Sequence, residues 1–449
     1  MKINCNDSKK QTDISCIPEN WDFVLLGKLC QVKSSSISFQ EIENIDTRNP
    51  DFPRVLALKV SDMNSDVNKY TITKSNIEFY PDPSRFNFGK CIPRKAIIFP
   101  KRGAAIATNK KRLLGEIAIL DPNLIAVIPS EEFIPEFLYH YFLTIDLIKF
   151  TEPGCLPQLN KKDLEPAYLP KPPLEEQRKI AGVLSLVQDA IAQQEQLITL
   201  TTELKKALMQ KLFTEGTRGE PQKKTEIGFI PHSWDVVKLK DTAESFQYGT
   251  SVKCDYDKDG KPVLRIPNVI GGYIDISDLK YGQPKPNEIQ SLKLLDGDLL
   301  FVRTNGTKEN SGRCSIYRDE LGNDCYFASY LIRVRLNKDK LLPTFLDEYT
   351  RTDIGTSFLS GQAIRTADGK FNINSGTLQR MLVPQASLDE QIEIADILSK
   401  LDTQITNYLL IKKQLQDLFY TLLHQLMTAQ IRVDNLNIST LNLELQGGD

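Results

Sequence analysis

From Leu174 to Phe213 apolar residues recur with coiled-coil spacing, in steps of three, four or seven, through Ile180, Val183, Val187, Ala190, Leu197, Leu204 and Leu208, with no proline and a single glycine, Gly182, in the stretch. That spacing lays one apolar stripe along a single long helix. Its start is marked by the run from Leu169 to Pro173, whose last proline suits a first helical turn, and Glu175 and Glu176 complement the positive helix end. Gly216 is placed to stop it. A second such helix is predicted from Ser387: Ser387-Leu388-Asp389-Glu390 reads as a capping box, and Ile394, Ile397, Leu401, Tyr408, Ile411, Leu415, Leu418 and Leu422 continue the stripe. About forty residues at 1.5 Å each make a rod of about 60 Å, too long for one small domain to cover. Each helix is therefore expected to be the other's antiparallel mate. Gln194, Thr201, Gln404 and Gln425 interrupt the stripes, either as polarity tolerated beside solvent or as a device that fixes register.

The two helices open on nearly the same words, LEEQRKIAGVLSLVQDAI at Leu174 and LDEQIEIADILSKLDTQI at Leu388, 214 residues apart. An independent match, IPENWDFVLL from Ile17 and IPHSWDVVKL from Ile230, places Trp21 and Trp234 213 residues apart. Between these anchors the offset drifts, because Ile97 to Phe99 best matches Leu299 to Phe301 and Phe137-Leu138 best matches Phe345-Leu346. Each half is thus a unit with a shared frame, an individual interior and a common closing helix. The interiors alternate short β-rich runs (VLALKV, AIIF, EIAIL, LIAVI; VLRIPNVI, DLLFV, YLIRVRL) with turn residues and shorter helical stretches. The fold class predicted is α+β: two pseudo-repeated α/β domains separated by two long helices paired as an antiparallel coiled coil. The domains fall at 1–173 and 218–386, the helices at 174–217 and 387–430, and a tail at 431–449.

Composition adds few constraints. A chain of 449 residues, 41% hydrophobic and 25% charged, is that of a globular protein with more than one core. No apolar run reaches the roughly 18 residues of a membrane span, and the start lacks a signal-peptide pattern, so a cytoplasmic protein is expected. The eight cysteines (Cys5, Cys16, Cys30, Cys91, Cys155, Cys254, Cys314, Cys325) include no CxxC pair and read as reduced thiols. Neither a Walker-type phosphate loop nor a GxGxxG turn is present. Asn49-Pro50-Asp51-Phe52 departs from the amino-methyltransferase tetrapeptide at its third position, and His140, His232 and His424 are too dispersed for a triad. Asp255-x-Asp257-x-Asp259-Gly260 opens like a calcium loop, but its twelfth position is Ile266, so a polar turn is expected.

Local charge is more telling than the net charge of −2. Between Pro83 and Gly115 stand Arg85, Lys90, Arg94, Lys95, Lys101, Arg102, Lys110, Lys111 and Arg112, with no acidic residue. Such a run either marks a solvated face or supplies counterion-releasing contacts to nucleic acid. In the second interior Arg303, Asn305, Lys308 and Arg313 lie in a Gly, Asn and Ser loop after a predicted strand, and Arg265, Asn268, Arg365 and Lys370 are further candidates for DNA contact. Both tryptophans are expected to anchor cores.

Assembled, these features resemble the DNA-specificity (S) subunit of type I restriction-modification systems. The resemblance rests on the doubled IP-x-x-W, on GDLLFVRTNGT followed by GRCSIY (Gly297 to Tyr317), and on the helix openings LPKPPLEEQRKIA and VPQASLDEQIEIA. It implies two target-recognition domains, each reading half of a split site in double-stranded DNA, on a subunit with no catalytic residues and no cofactor of its own. It also implies two methyltransferase (modification) subunits that use S-adenosylmethionine, and restriction subunits that use ATP and Mg. Glu175, Glu176, Gln177, Asp389, Glu390 and Gln391 are candidates for the surface that docks the methyltransferases, or they simply cap helices. KAIIFPKRGAA at Lys95 departs from the loop pattern of the second half, which leaves base contacts of the first domain less defined. Half-site centres close to one turn of DNA, about 34 Å, are expected. A protein-bridging scaffold and a single-chain methyltransferase are the competing readings.

Overall fold

The computed structural model describes residues 18–34, 39–151 and 157–433. Cys5, Cys16, Ile17, Cys155 and the tail from 434 lie outside the described residues. The chain divides into two compact units, one made of Met1–Gln194 and Ile411–Asp449, the other of Glu195–Leu410. Two helices, Leu174–Glu215 with 42 residues and Leu388–Met427 with 40, each contribute one part to either unit. Gly216, with φ +65°, ends the first in the left-handed conformation that glycine adopts without strain. Among the described residues no helix is long and apolar enough to cross a membrane.

In the first unit a five-stranded sheet runs in the order Cys30–Lys33, Leu124–Pro129, Ile97–Pro100, Arg112–Leu114, Thr71–Ile72. A three-stranded sheet sets Val55–Leu58 between Ile77–Phe79 and Ala118–Leu120. The strands Asp22–Leu25 and Tyr168–Lys171 pair antiparallel and close the domain at the root of the long helix. Helix Pro135–Leu143 buries Phe137, Leu138, Tyr141 and Phe142 against the larger sheet, in one core with Ile97, Phe99, Ile125 and Val127.

The second unit repeats this plan. Its four-stranded sheet runs Ala243–Tyr248, Leu331–Leu336, Leu299–Val302, Cys314–Ile316, and its three-stranded sheet sets Lys261–Leu264 between Lys280–Gly282 and Tyr326–Phe327. Asp235–Lys238 pairs with Leu382–Gln385 where the first unit has its closing ribbon. The run VLRIPNVI is strand only to Leu264; Ile266–Val269 is helical, with Pro267 in its first turn. The Asp255 to Gly260 stretch is a loop in which Asp255 and Asp257 accept the backbone N–H groups of Asp257 and Asp259, the polar turn that was expected. Among the described residues Cys30, Cys91, Cys254, Cys314 and Cys325 are free thiols.

Within each unit the long helices pair antiparallel. In the second, Thr217 N–H donates to Glu390 at 2.8 Å and Lys205 meets Asp402 at 2.6 Å, so a step back along one helix is a step forward along the other. In the first, Ile180, Leu184, Val187 and Ile191 share a core with Phe419, Leu423, Leu426 and Met427. The apolar stripe is not sealed throughout: Leu197, Leu204, Ile411 and Leu418 are 38%, 50%, 41% and 45% exposed. Burial is complete only where a domain's sheet and short helix also pack on the pair, as around Ile180 and Ile394.

Candidate nucleic-acid interface

In the second unit the chain leaves strand Leu299–Val302 through Arg303 and at once forms Thr304–Asn305, which pairs with Phe371–Asn372, itself folded back on Ile364–Arg365. This small sheet gathers Arg303, Asn305, Arg365 and Lys370, which are up to 67 positions apart in sequence. Arg303 is held at its backbone, where its N–H donates to Tyr330 O (2.9 Å) and its carbonyl accepts Ile373 N–H (2.9 Å). Its guanidinium lies 4.7 Å from the centre of the Tyr248 ring, one N–H reaches Ser329 O at 3.3 Å, and Nε is buried without a hydrogen-bond partner. The Tyr248 hydroxyl in turn accepts Ser375 N–H at 2.9 Å. Exposed Tyr330 and Ile364, at 59% and 68%, flank the cluster. A charge held over an aromatic face beside exposed apolar groups suits a base edge better than a loose phosphate contact. Sequence reading missed Tyr248, Tyr330 and Ile364, because nothing short-range ties them to the Arg303 loop.

The other candidates of this unit divide. Lys308 is partly exposed and Arg313 exposed, with one Arg313 N–H on Ile270 O at 3.4 Å. Arg365 is exposed, and Lys370 pairs with Asp368 at 3.2 Å. Asn268 is a correction: it is 1% exposed, its Oδ1 accepts Arg265 N–H, and its Nδ2 donates to Asp275 O and Asp278 O. It fastens a turn, with its amide turned away from solvent. Arg265 is committed to Asp278 at 2.9 Å and depresses that carboxyl's pKa.

The nine basic residues of the first unit do not form one face. Acids just outside the run fold back onto it, Glu116 onto Arg94 (2.5 Å), Glu136 near Lys95 (3.8 Å) and Asp82 near Arg85 (3.8 Å). Lys110 bonds Asn64. Lys111 is a correction: it is 1% exposed, with Nζ on Ile145 O (2.5 Å) and Asn109 Oδ1 (2.7 Å), and burial pulls it down to about 8 despite Asp146. Arg112 is largely inward as well, donating to Lys111 O and Met63 O. Lys90 and Arg102 are exposed; Lys101 is partly so, its pKa lowered first by burial and then by Arg102.

Those last two residues occupy the Arg303 position. Lys101 N–H donates to Asn123 O, its carbonyl accepts Leu159 N–H at 2.8 Å, and Arg102 bridges Gln158, as Arg303 does with Tyr330 and Ile373 and Thr304 with Asn372. Both strands are entered through a left-handed residue, Lys95 at φ +66° and Gly297 at φ +88°. The loop that departs in sequence is therefore the same device in structure.

Four of the six docking candidates are interior. Glu176 Oε2 accepts the Trp21 indole N–H at 3.0 Å, and Glu390 Oε2 accepts that of Trp234 at 2.9 Å. Gln177 accepts Ile134 N–H and donates to Glu132 O and Pro172 O; Gln391 accepts Leu342 N–H and donates to Lys340 O and Ala386 O. None of the four exceeds 6% exposure. The repeated Glu-Gln pair locks each domain onto its helix, which corrects its assignment to a docking surface. The capping box is corrected likewise: Ser387 Oγ accepts Glu390 N–H at 3.4 Å, but the Glu390 carboxylate turns to Trp234. Glu175 and Asp389 are exposed.

Residues 18–202 match a family model described as the type I restriction modification DNA specificity domain. The chain is 28% identical over 330 residues to the type I restriction enzyme MjaVIII specificity subunit of Methanocaldococcus jannaschii, covering 72% of this chain and 77% of that one. A putative MjaX specificity subunit of the same organism is 34% identical over 184 residues, 41% of this chain and 43% of the relative. The crystal structure of a type I restriction-modification S subunit from M. genitalium shares the fold at TM-score 0.54 and 15% identity, over 91% of this chain and 96% of the other. With its doubled domain, doubled Trp–Glu lock and paired long helices, the chain is similar over most of its length to the specificity subunits of type I restriction enzymes, and its residues 18–202 match their DNA specificity domain.

Proposed function

We propose that each recognition domain contacts one half of a two-part site in double-stranded DNA, through the loop that follows its central strand: Lys101 and Arg102 in the first, Arg303, Asn305, Arg365 and Lys370 in the second. The observation that carries this reading is the repeated construction of that loop, with a cation fixed at the same backbone position in both units. Arg85, Lys90, Arg94, Lys95, Lys110, Lys308 and Arg313 serve as the surrounding phosphate contacts. The recognition domains are taken as 1–173 and 218–386, with 174–217 and 387–430 as spacers.

The subunit is non-catalytic and acts in the cytoplasm with two methyltransferase subunits and with restriction subunits, which handle S-adenosylmethionine, ATP and Mg. The methyltransferases dock on the long helices. Exposed Leu197, Leu200 and Leu204, at one helical face, support that choice over the buried Glu-Gln pairs.

The test is binding of the assembled methyltransferase to duplexes in which one half-site at a time is scrambled. Arg303→Ala is expected to erase discrimination at one half-site and leave the other intact, while Lys101→Ala/Arg102→Ala does the reverse. Equal loss at both halves from either change would contradict the reading.

A further inference from the structure

The junction where each domain's short helix meets the two long helices is built on the same three positions in both units, but with different chemistry. The short helices Pro135–Leu143 and Pro343–Arg351 each have nine residues and open on proline; their sixth residues are His140 and Glu348. Gln188 and Asp402 are each the fifteenth residue of their long helix, and Phe419 and Lys205 each the thirty-second.

In the first unit the triplet is neutral. His140, 1% exposed, shares a 2.8 Å hydrogen bond from Nε2 with Gln188 Oε1 and sets its ring edge-on to Phe419, 6.0 Å between centres. In the second unit the triplet is ionic. Lys205 Nζ lies 3.2 Å and 3.0 Å from the two Glu348 oxygens and 2.6 Å from Asp402, with Lys205 and Glu348 both buried. Next to it Arg351 pairs with Asp347 at 2.7 Å, where the first unit has Leu143 and Tyr139. The Trp–carboxylate and glutamine contacts are the same at both junctions and do not tell the domains apart.

We propose that these triplets are a seating code, specifying which recognition domain each helical platform accepts. The Lys205–Asp402 platform fits a short helix that carries a carboxylate at its sixth position; the Gln188–Phe419 platform fits a neutral imidazole there. A domain on the wrong platform would bury Glu348 against Phe419 with no cation, or put an imidazole in place of the buried Glu348 carboxylate and leave Lys205 only the half-exposed Asp402, and a buried charge that loses its buried partner is strongly disfavoured. Two platforms that otherwise repeat are thereby kept from exchanging domains within a chain or between chains.

Two full-length comparisons test the code, and neither involves DNA, so its failure is separable from failure of the recognition reading. In the first, Glu348→His alone is expected to lower the unfolding temperature of the second unit, and adding Lys205→Phe and Asp402→Gln to recover at least half of the loss; a triple variant no better than the single one overturns the proposal. In the second, residues 18–171 replace 231–385, so that the first domain occupies both positions. Soluble yield is expected to be at least about tenfold lower with Lys205 and Asp402 retained than with Phe and Gln in their places. Equal yields of the two chains, high or low, overturn the code.

Discussion

Replacing Glu390 by alanine separates a domain lock from a docking surface. Its carboxylate accepts the Trp234 indole N–H at 2.9 Å and the Thr217 backbone N–H at 2.8 Å, and Trp234 is fully buried. A hydrogen bond to a charged acceptor contributes about 1.5–3 kcal/mol, and the two orphaned donors are not independent, so a loss of about 3 kcal/mol is the working figure. For a unit of this size each kcal/mol moves the midpoint by about 2–4 °C, which predicts a fall of roughly 6–12 °C in the second unit. Hydrogen exchange during a thermal ramp reads the units separately, with the first as internal reference. Asp389→Ala, one residue away and exposed, is expected to stay within about 0.5 kcal/mol of wild type. If Glu390→Ala melts like wild type while affinity for the methyltransferase subunit falls, the reasoning is refuted and the residue belongs to a docking surface.

Three further outcomes are expected. Burial lowers His140 from 6.5 to about 4, so between those values the unfolded chain holds a proton that the folded one refuses; the first unit is unaffected above pH 6.5 and loses about 3 kcal/mol as pH falls to 4. Urea unfolding across that window, against His140→Gln, checks the slope. Lys111→Met is expected to leave the salt dependence of DNA binding unchanged, whereas Arg102→Ala should reduce its log–log slope by about one; the reverse pattern in a salt titration would restore Lys111 to the interface. Tyr248→Leu, which removes the ring under Arg303, should relax discrimination at one half-site by about tenfold while overall affinity changes little, measured by competition with scrambled duplexes.

The long helices were legible because their apolar period, Pro173 and Gly216 are local signals, and the tryptophans because the doubled IP-x-x-W marks them as framework. The locks were not legible: Trp21–Glu176 and Trp234–Glu390 span 155 and 156 positions, and an acidic residue in a first helical turn already has a local explanation. Which members of the basic run are paired or turned inward was not legible for a related reason. Glu116 and Asp82, which neutralise it, begin immediately outside it, and strand pairing turns Lys111 inward. The match of Ile97 with Leu299 already sets Lys101 opposite Arg303; what it could not show is that both backbones are fixed in the same way, because Asn123 and Leu159, and Tyr330 and Ile373, come from distant parts of the chain.

The central claim is that two separately seated domains each read their own half of one site. The most direct measurement is the genome-wide pattern of methylated bases produced by the host's modification enzyme carrying this chain, and again carrying Arg303→Ala. A two-part motif whose second half alone becomes degenerate in the variant is predicted; a single contiguous motif, or one untouched by the change, would contradict the account.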